Sequence, residues 1–213
     1  MCVIIINHGK EVSFDSFEKM YQRNPDGIGI MFHDMLKDSI QAVKQLVSEE
    51  ELYDFWRYTY LPIINNKHYR DVVIHFRYAT DGDVNLENVH PYSFEVNGVM
   101  AYAMHNGIMP NQYRGYSLSD DYITSDTHNF VSLYLNNSNF NFGNLLSKKE
   151  ISLVEEEIGA SKLVVLADGS EGLEVFNRKY FRKMPDGNLY SNLNWQTGTY
   201  FPIVGYNYQL DFK

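Results

Sequence analysis

The run Val3-Ile4-Ile5-Ile6 starts at the third residue of the chain and carries three successive isoleucines. β-Branched side chains crowd a helix and suit an extended, pleated backbone, so the chain opens on a strand. Whatever stands just ahead of it is held to a sheet and does not lie on a free tail. That residue is Cys2, the only cysteine of the 213 residues. An initiator Met is usually trimmed when the next residue is small. Trimming would leave a thiol and a free α-amine on one residue. The amine, with an ordinary pKa of about 7.7–8.0, can act as a base near neutral pH and activate the neighbouring nucleophile. By position alone Cys2 is also an ordinary small residue, so the rest of the chain has to decide.

Composition narrows the choices. Hydrophobic residues make up 44% and charged residues 21%, enough to bury a substantial core in one domain of this length. The 17 Tyr and 13 Phe read as strand and core residues. A net charge of −9 argues against direct nucleic-acid binding, which needs a basic footprint. A lone thiol forms no internal disulfide and suits a reducing, cytoplasmic setting. Residues 1–30 lack the basic start and long apolar core of a signal peptide, and no apolar run approaches the roughly 20 residues of a membrane helix. The sequon at Asn136-Asn137-Ser138 is then a chance match.

Further along, Ser13 or Asp15 can cap a helix carrying Phe14, Phe17 and Met20 and ending near Asn24. Asn24-Pro25-Asp26-Gly27 is a turn, followed by a strand over Gly27 to Phe32. Asp38 to Leu46 reads as a strand. Ser48 with Glu51 makes a capping box for a helix through Tyr60, with Pro62 after its end. Val72 to Tyr78 and Val99 to Met104 read as strands, Gly115 to Tyr122 as a polar loop. Asp126 to Leu135 and Lys148 to Ile158 have helical spacing. Leu163 to Ala167 and Leu173 to Phe176 suggest a hairpin about Asp168-Gly169-Ser170. Asn136 to Asn144 reads as a surface loop. From Tyr180 the tail is β and irregular, with turns at Pro185-Asp186-Gly187 and Gly198. Strand pairs alternating with helix pairs predict an α+β layered fold, with no repeat and no domain boundary.

Four segments place polar residues at strand ends, a turn and a helix start. His75 to Gly82 closes a strand with Arg77, either a surface Arg or a planar fork for a carboxylate. His90, before Pro91, reads as a turn histidine. Asn106-Gly107 is either a plain turn or an oxyanion site, since an Asn amide and a Gly N–H can both donate to a developing negative charge. Ser125 is a candidate N-cap, and Asp126 behind it can favour the helix dipole or bind an ammonium. The seven histidines show no metal-ligand spacing, so no metal or other cofactor is expected. His33 and His68 read as surface residues and Trp195 as a packing residue.

Taken in order, these segments resemble the class II glutamine amidotransferases, whose glutaminase domain begins with a catalytic Cys. The pattern of Cys, a Pro-Asp-Gly turn, His-x-Arg-[Trp/Tyr]-Ala-Thr-His-Gly, Asn-x-His-Pro, His-Asn-Gly and Ser-Asp stands here at Cys2, Asn24 to Gly29, His75 to Gly82, Asn88 to Pro91, His105 to Gly107, and Ser125-Asp126. The resemblance covers residues 2–130, with residues 131–213 completing a single domain over 1–213. It implies an N-terminal-nucleophile (Ntn) hydrolase-like four-layer αββα sandwich of two antiparallel sheets. It also implies that Cys2 attacks the side-chain amide of L-glutamine with its own α-amine as base. Asn106 and Gly107 would form the oxyanion hole, Arg77 would hold the α-carboxylate, Asp126 the α-ammonium, and Thr80 would line the substrate site. One position departs: Asp81 stands where the pattern has His, which puts in question how the substrate loop closes.

Larger members carry a fused synthase or transferase, and this chain, ending at Lys213, leaves little room for one. The expected acceptor of ammonia is therefore a separate synthase or transferase. Two other readings share the residues: a hydrolase of another γ-glutamyl amide, and a catalytically altered binding or regulatory subunit, for which Asp81 is the main support.

Overall fold

A computed structural model of the chain describes residues 2–144 and 146–196. The opening run is strand β1 (Val3–Ile6), and all four of its side chains are buried. The reason is that sheet neighbours and packing cover it on both faces, which is what an apolar run without alternation requires. The remaining strands are β2 (Ile28–Asp34), β3 (Ser39–Gln45), β4 (Tyr69–Phe76), β5 (Tyr92–Val96), β6 (Val99–Asn106), β7 (Lys162–Ala167), β8 (Glu174–Phe176), β9 (Arg182–Lys183) and β10 (Leu189–Tyr190). They form two sheets, ordered β3-β2-β4-β1-β10-β9 and β5-β6-β7-β8, and every pairing is antiparallel. The chain is thus a mixed α/β protein with two antiparallel sheets.

Alternation along the strands divides the core in three. Ile4 and Ile6 of β1, Met31 of β2 and Val73 of β4 pack with Met104 of β6 and Val164 and Leu166 of β7, so side chains of both sheets share one cluster. Val3, Ile5, Ile28, Ile30, Ile74 and Phe76 point the other way, toward Phe17 and Met20 of the helix Phe14–Arg23 and toward Leu52, Phe55 and Tyr60. On the second sheet, Phe94, Ala101, Ala103 and Val165 pack with Phe130, Val131 and Leu135 and with Val154 and Ile158 of the helix Lys148–Ile158. Fully burying side chains of this size is worth about 1.5–3 kcal/mol each.

The local signals hold where they are chemical. Ser13 accepts the Ser16 N–H, and Ser48 and Glu51 make both halves of the expected capping box, the Ser48 N–H donating to Glu51 Oε2 at 3.1 Å and the Glu51 N–H to Ser48 Oγ at 3.3 Å. Four expectations need correction. Pro62 does not follow a helix but lies inside one. Residues 52–64 run as Leu52–Asp54, a π-helical stretch Phe55–Tyr60, and Leu61–Ile64. The Leu61 N–H still bonds five residues back, to Trp56, while the Asn65 N–H bonds four back. Pro62, which has no donor, sits at this change of register, where a missing hydrogen bond costs least. Strand β5 stands where the sequence suggested only a turn at His90-Pro91, because the turn is immediately followed by alternating burial from Tyr92 to Val96. His33 is buried, its Nδ1 accepting the Arg70 Nε–H at 3.2 Å. The loop Asn136 to Asn144 sends Phe140 and Phe142 into the second sheet's core. Trp195 packs against Tyr190 as expected. The turn at Gly198 lies outside the described residues.

One glycine is dictated by the approach of two backbones. A Cβ on Gly29 would stand 1.7 Å from the His90 carbonyl oxygen, a backbone atom that cannot swing away. Gly29→Ala is expected to destabilise the protein by about 3 kcal/mol or more, the upper range for overpacking. At this chain length that lowers the Tm by roughly 6–12 °C, which differential scanning calorimetry can read.

Candidate active site

The site gathers where β1 begins and where β4 and β6 end. Cys2 precedes β1 and is half-buried, with its sulfur beside the chain just after β4. The Tyr78 N–H donates to Sγ at 3.3 Å, and the Tyr78 carbonyl lies 3.5 Å from Sγ. Burial pushes the Cys2 thiol up from its ordinary value, and the Tyr78 backbone contact offsets only part of that. This favours the thiol over the thiolate in the resting protein.

Arg77 follows β4 and is 2% exposed. Its backbone is fixed to the turn before β2: its N–H donates to the Gly27 carbonyl at 2.8 Å, and its carbonyl accepts the Asp26 N–H at 3.0 Å. The Asp26 carboxylate accepts the Ala79 N–H at 2.7 Å, holding the loop that carries Thr80 and Asp81. Arg77 Nη2 donates to the Asp81 carbonyl at 3.2 Å, while Nη1 is buried without a protein partner. Asp81 pairs with Arg114 at 3.4 Å, and burial, with Asp126 nearby, raises its pKa. Asp81, the position that departs from the resembled pattern, thus has a partner: an ion pair ties the loop after β4 to the segment after β6.

Asp126 opens the helical residues 126–135, made of Asp126–Phe130 and the π-helical Val131–Leu135. Its Oδ2 accepts the Met109 N–H at 2.8 Å and its Oδ1 accepts the Thr127 hydroxyl at 3.2 Å. Ser125 caps the helix by accepting the His128 N–H, and its own N–H is held by Asn88 Oδ1 at 2.9 Å. Asn88 also donates to the Asp83 and Ile123 carbonyls, joining the loop after β4 to the start of this helix.

Asn106 is the last residue of β6. Its Nδ2 lies 2.6 Å from Ser191 Oγ, and its Oδ1 is buried with no protein partner. Gly107 has φ +154°, and a Cβ there would stand 2.0 Å from Ser161 Oγ. Only glycine lets this backbone pass so close.

A small cavity of about 20 Å³ is lined by Cys2, Arg77, Thr80, Gly107 and Asp126. Asn106 does not line it; with Gly107 it borders the adjoining groove along residues 156–162. Five of the six residues singled out in the sequence therefore meet in one cavity, and the sixth stands beside it. Two histidines whose depth the sequence did not suggest, His90 and His105, line the same cavity, and a third, His75, packs against His90. His75 Nε2–H donates to the His105 carbonyl at 3.0 Å, and His105 Nδ1 pairs with Thr127 Oγ1 at 2.8 Å. His90 packs against His75 with ring centroids 3.9 Å apart and planes tilted by 40°, and both its ring nitrogens are unpartnered. Burial drives His75 and His105 down to about 3 and His90 well below its ordinary value, so all three rings are neutral at working pH. Of the ten buried polar atoms without a protein partner among the described residues, six belong to this site, which marks it as a place where ligand or solvent completes the hydrogen bonding.

Sequence reasoning missed Asn192, whose Nδ2 donates to the Cys2 carbonyl at 2.7 Å, and Ser191, which touches both Ile4 and Asn106. No sequence signal marks either one, because each acts across more than 80 residues of chain.

The chain is a mixed α/β protein with two antiparallel sheets, and a cysteine, an arginine and an aspartate line one polar cavity of it. The pattern of the family described as "Glutamine amidotransferases class-II" matches residues 6–158, more than two thirds of the chain, and the chain belongs to that family. Comparison with curated proteins returned no match. The family's common chemistry is release of nitrogen from the glutamine side-chain amide. Cys2 lies ahead of the matched segment, and β7, β8, β9 and β10 lie beyond it. No helix among the described residues is long and apolar enough to cross a membrane.

Proposed function

We propose that the protein hydrolyses the side-chain amide of free L-glutamine with Cys2, exposed by loss of Met1, as the nucleophile. The observation that carries this reading is the meeting of Cys2, Arg77, Thr80, Gly107 and Asp126, from four separate stretches of chain, around one cavity. The α-amine of Cys2 takes the thiol proton, directly or through a water, and the thiolate attacks the amide carbon. The tetrahedral oxyanion is held by Asn106 Nδ2 and the Gly107 N–H. Collapse expels ammonia, which carries away the proton held by the amine, and leaves a γ-glutamyl thioester. Water then attacks the thioester to release glutamate and restore the thiol.

Arg77 binds the α-carboxylate through the buried Nη1 that has no protein partner, and Asp126 binds the α-ammonium. Arg77→Lys loses the planar fork and is expected to raise the KM for glutamine about 10–100-fold with a smaller change in kcat. Asp126→Asn keeps an acceptor for the Met109 N–H but loses the charge, and is expected to raise KM about 10-fold. Steady-state kinetics check both. Glutamine assayed beside γ-glutamyl peptides distinguishes this activity from hydrolysis of another γ-glutamyl amide.

The same reading takes residues 1–213 as one Ntn-hydrolase-like domain with its layers in the order αββα. Support comes from the three core clusters, one between the sheets and one on the outer face of each, and from β10, which pairs with β1 in the same sheet. Ammonia passes to a separate acceptor enzyme in a reducing, cytoplasmic setting. A glutaminase rate that no candidate synthase or transferase alters would count against such a complex.

A further inference from the structure

The residues just after β10 do work at the site that the glutamine reading leaves unused. β10 pairs with β1 (Ile5↔Tyr190), and Ser191, 2% exposed, follows it. The Ser191 N–H donates to the Ile4 carbonyl at 2.9 Å, and Ser191 Oγ accepts the Ile4 N–H at 2.8 Å. The same Oγ lies 2.6 Å from the Asn106 side-chain amide.

Counting protons decides what this contact does. A serine hydroxyl has one proton to give and two lone pairs. The Ile4 N–H can only donate, so it occupies one lone pair. With Asn106 Nδ2 turned to Ser191, the second lone pair is also filled. The hydroxyl proton then has no acceptor among the described residues, and Asn106 Oδ1 is buried without a partner. Turning the amide by 180° leaves its shape unchanged and repairs both faults: Ser191 O–H donates to Asn106 Oδ1, and Nδ2 becomes a donor with no protein partner.

We propose that Ser191 is a positioning residue that fixes the Asn106 amide with its oxygen toward Ser191, leaving Nδ2–H to meet the oxyanion. The proposal rests on the reading of Asn106 as an oxyanion donor. It gives β10 a catalytic consequence: the Ser191 hydroxyl is oriented by the backbone of β1, the strand that also carries the nucleophile. Without that donor the amide is free to turn its oxygen toward the developing negative charge, where it repels.

The test is a double-mutant cycle on kcat for glutamine with Ser191→Ala and Asn106→Ala. Ser191→Ala is expected to lower kcat by about 10²-fold, the scale of one lost oxyanion donor, with little change in KM. Because Ser191 acts through Asn106, the double variant is expected to lose no more than Asn106→Ala alone. Ser191→Thr, which keeps the hydroxyl, is expected to restore most of the rate. Alkylation of Cys2 by iodoacetamide at the wild-type rate shows that the site is intact, and a thermal melt reads separately the cost of leaving the Ile4 N–H unpaired. If Ser191→Ala does not fold at the assay temperature, Ser191→Cys, of similar size and a weak donor, takes its place in the cycle. A serine variant with wild-type kcat, or losses that multiply in the double variant, overturns the proposal while the glutaminase reading stands. An inactive wild-type protein overturns both.

Discussion

Cys2→Ala is expected to lower kcat for glutamine hydrolysis by at least about 10⁴-fold, because it removes the atom that forms the covalent intermediate. Binding should survive: Arg77 and Asp126 are untouched, so glutamine still protects the variant against heat. Cys2→Ser tests the same point more finely. A hydroxyl is a much poorer nucleophile than a thiol, so the serine variant should also be nearly inactive despite almost unchanged shape. The environment of the sulfur explains why the α-amine matters. Burial raises the thiol's pKa and the nearest polar contacts come from the Tyr78 backbone, so the sulfur is not a ready thiolate. A preceding residue that blocks the amine should therefore cost nearly as much as loss of the thiol, even with Cys2 in place. Expressing Cys2 behind a residue that is not trimmed checks this.

Acid stability should show the second large effect. His75 and His105 are held at about 3 and His90 well below its ordinary value, all chiefly by burial, against 6.5 for a free ring. Above pH 6.5 neither the folded nor the unfolded chain protonates these rings, and they leave stability independent of pH. As pH falls from 6.5 toward 3, the unfolded chain takes up three protons that the folded chain refuses, so stability falls. Each ring contributes up to about 1.4 kcal/mol per pH unit. At pH 5 His75 and His105 together cost up to about 4 kcal/mol and His90 adds to that, comparable with the lower part of the roughly 5–15 kcal/mol that holds a typical domain together. Acid unfolding is therefore expected near pH 5, measured as urea midpoints across pH 7.5 to 4.5. His90→Phe keeps a ring against His75 without a titrating group and should flatten the slope by about a third. A slope unchanged by that substitution would remove His90 from the account.

What the sequence revealed depended on the range of the interactions. The strand β1, the cap at Ser13 and the capping box at Ser48 are local, and they stood in the sequence as they stand in the fold. Pro62 misled because a π-helical turn absorbs it, and periodicity assumes 3.6 residues per turn. His33 misled because its partner Arg70 arrives from β4, which no local signal announces. At the site, Cys2, Arg77, Thr80, Gly107 and Asp126 were legible as members of ordered motifs, and the fold brings them to one cavity. Asn106 was legible as half of an Asn-Gly pair, but its neighbour Ser191 was not. Ser191 is set by the pairing of β10 with β1, a contact between the two ends of the described chain. The depth of His75, His90 and His105 was equally hidden, since burial on both sides of a strand end comes from layers that meet only in three dimensions.

Mass spectrometry of the native protein, intact and after 6-diazo-5-oxo-norleucine, tests the central claim most directly. The account expects a chain that begins at Cys2, one adduct, and that adduct on the N-terminal peptide, with glutaminase activity lost in step with labelling. An active protein that retains Met1, or one inactivated with Cys2 unlabelled, would contradict it.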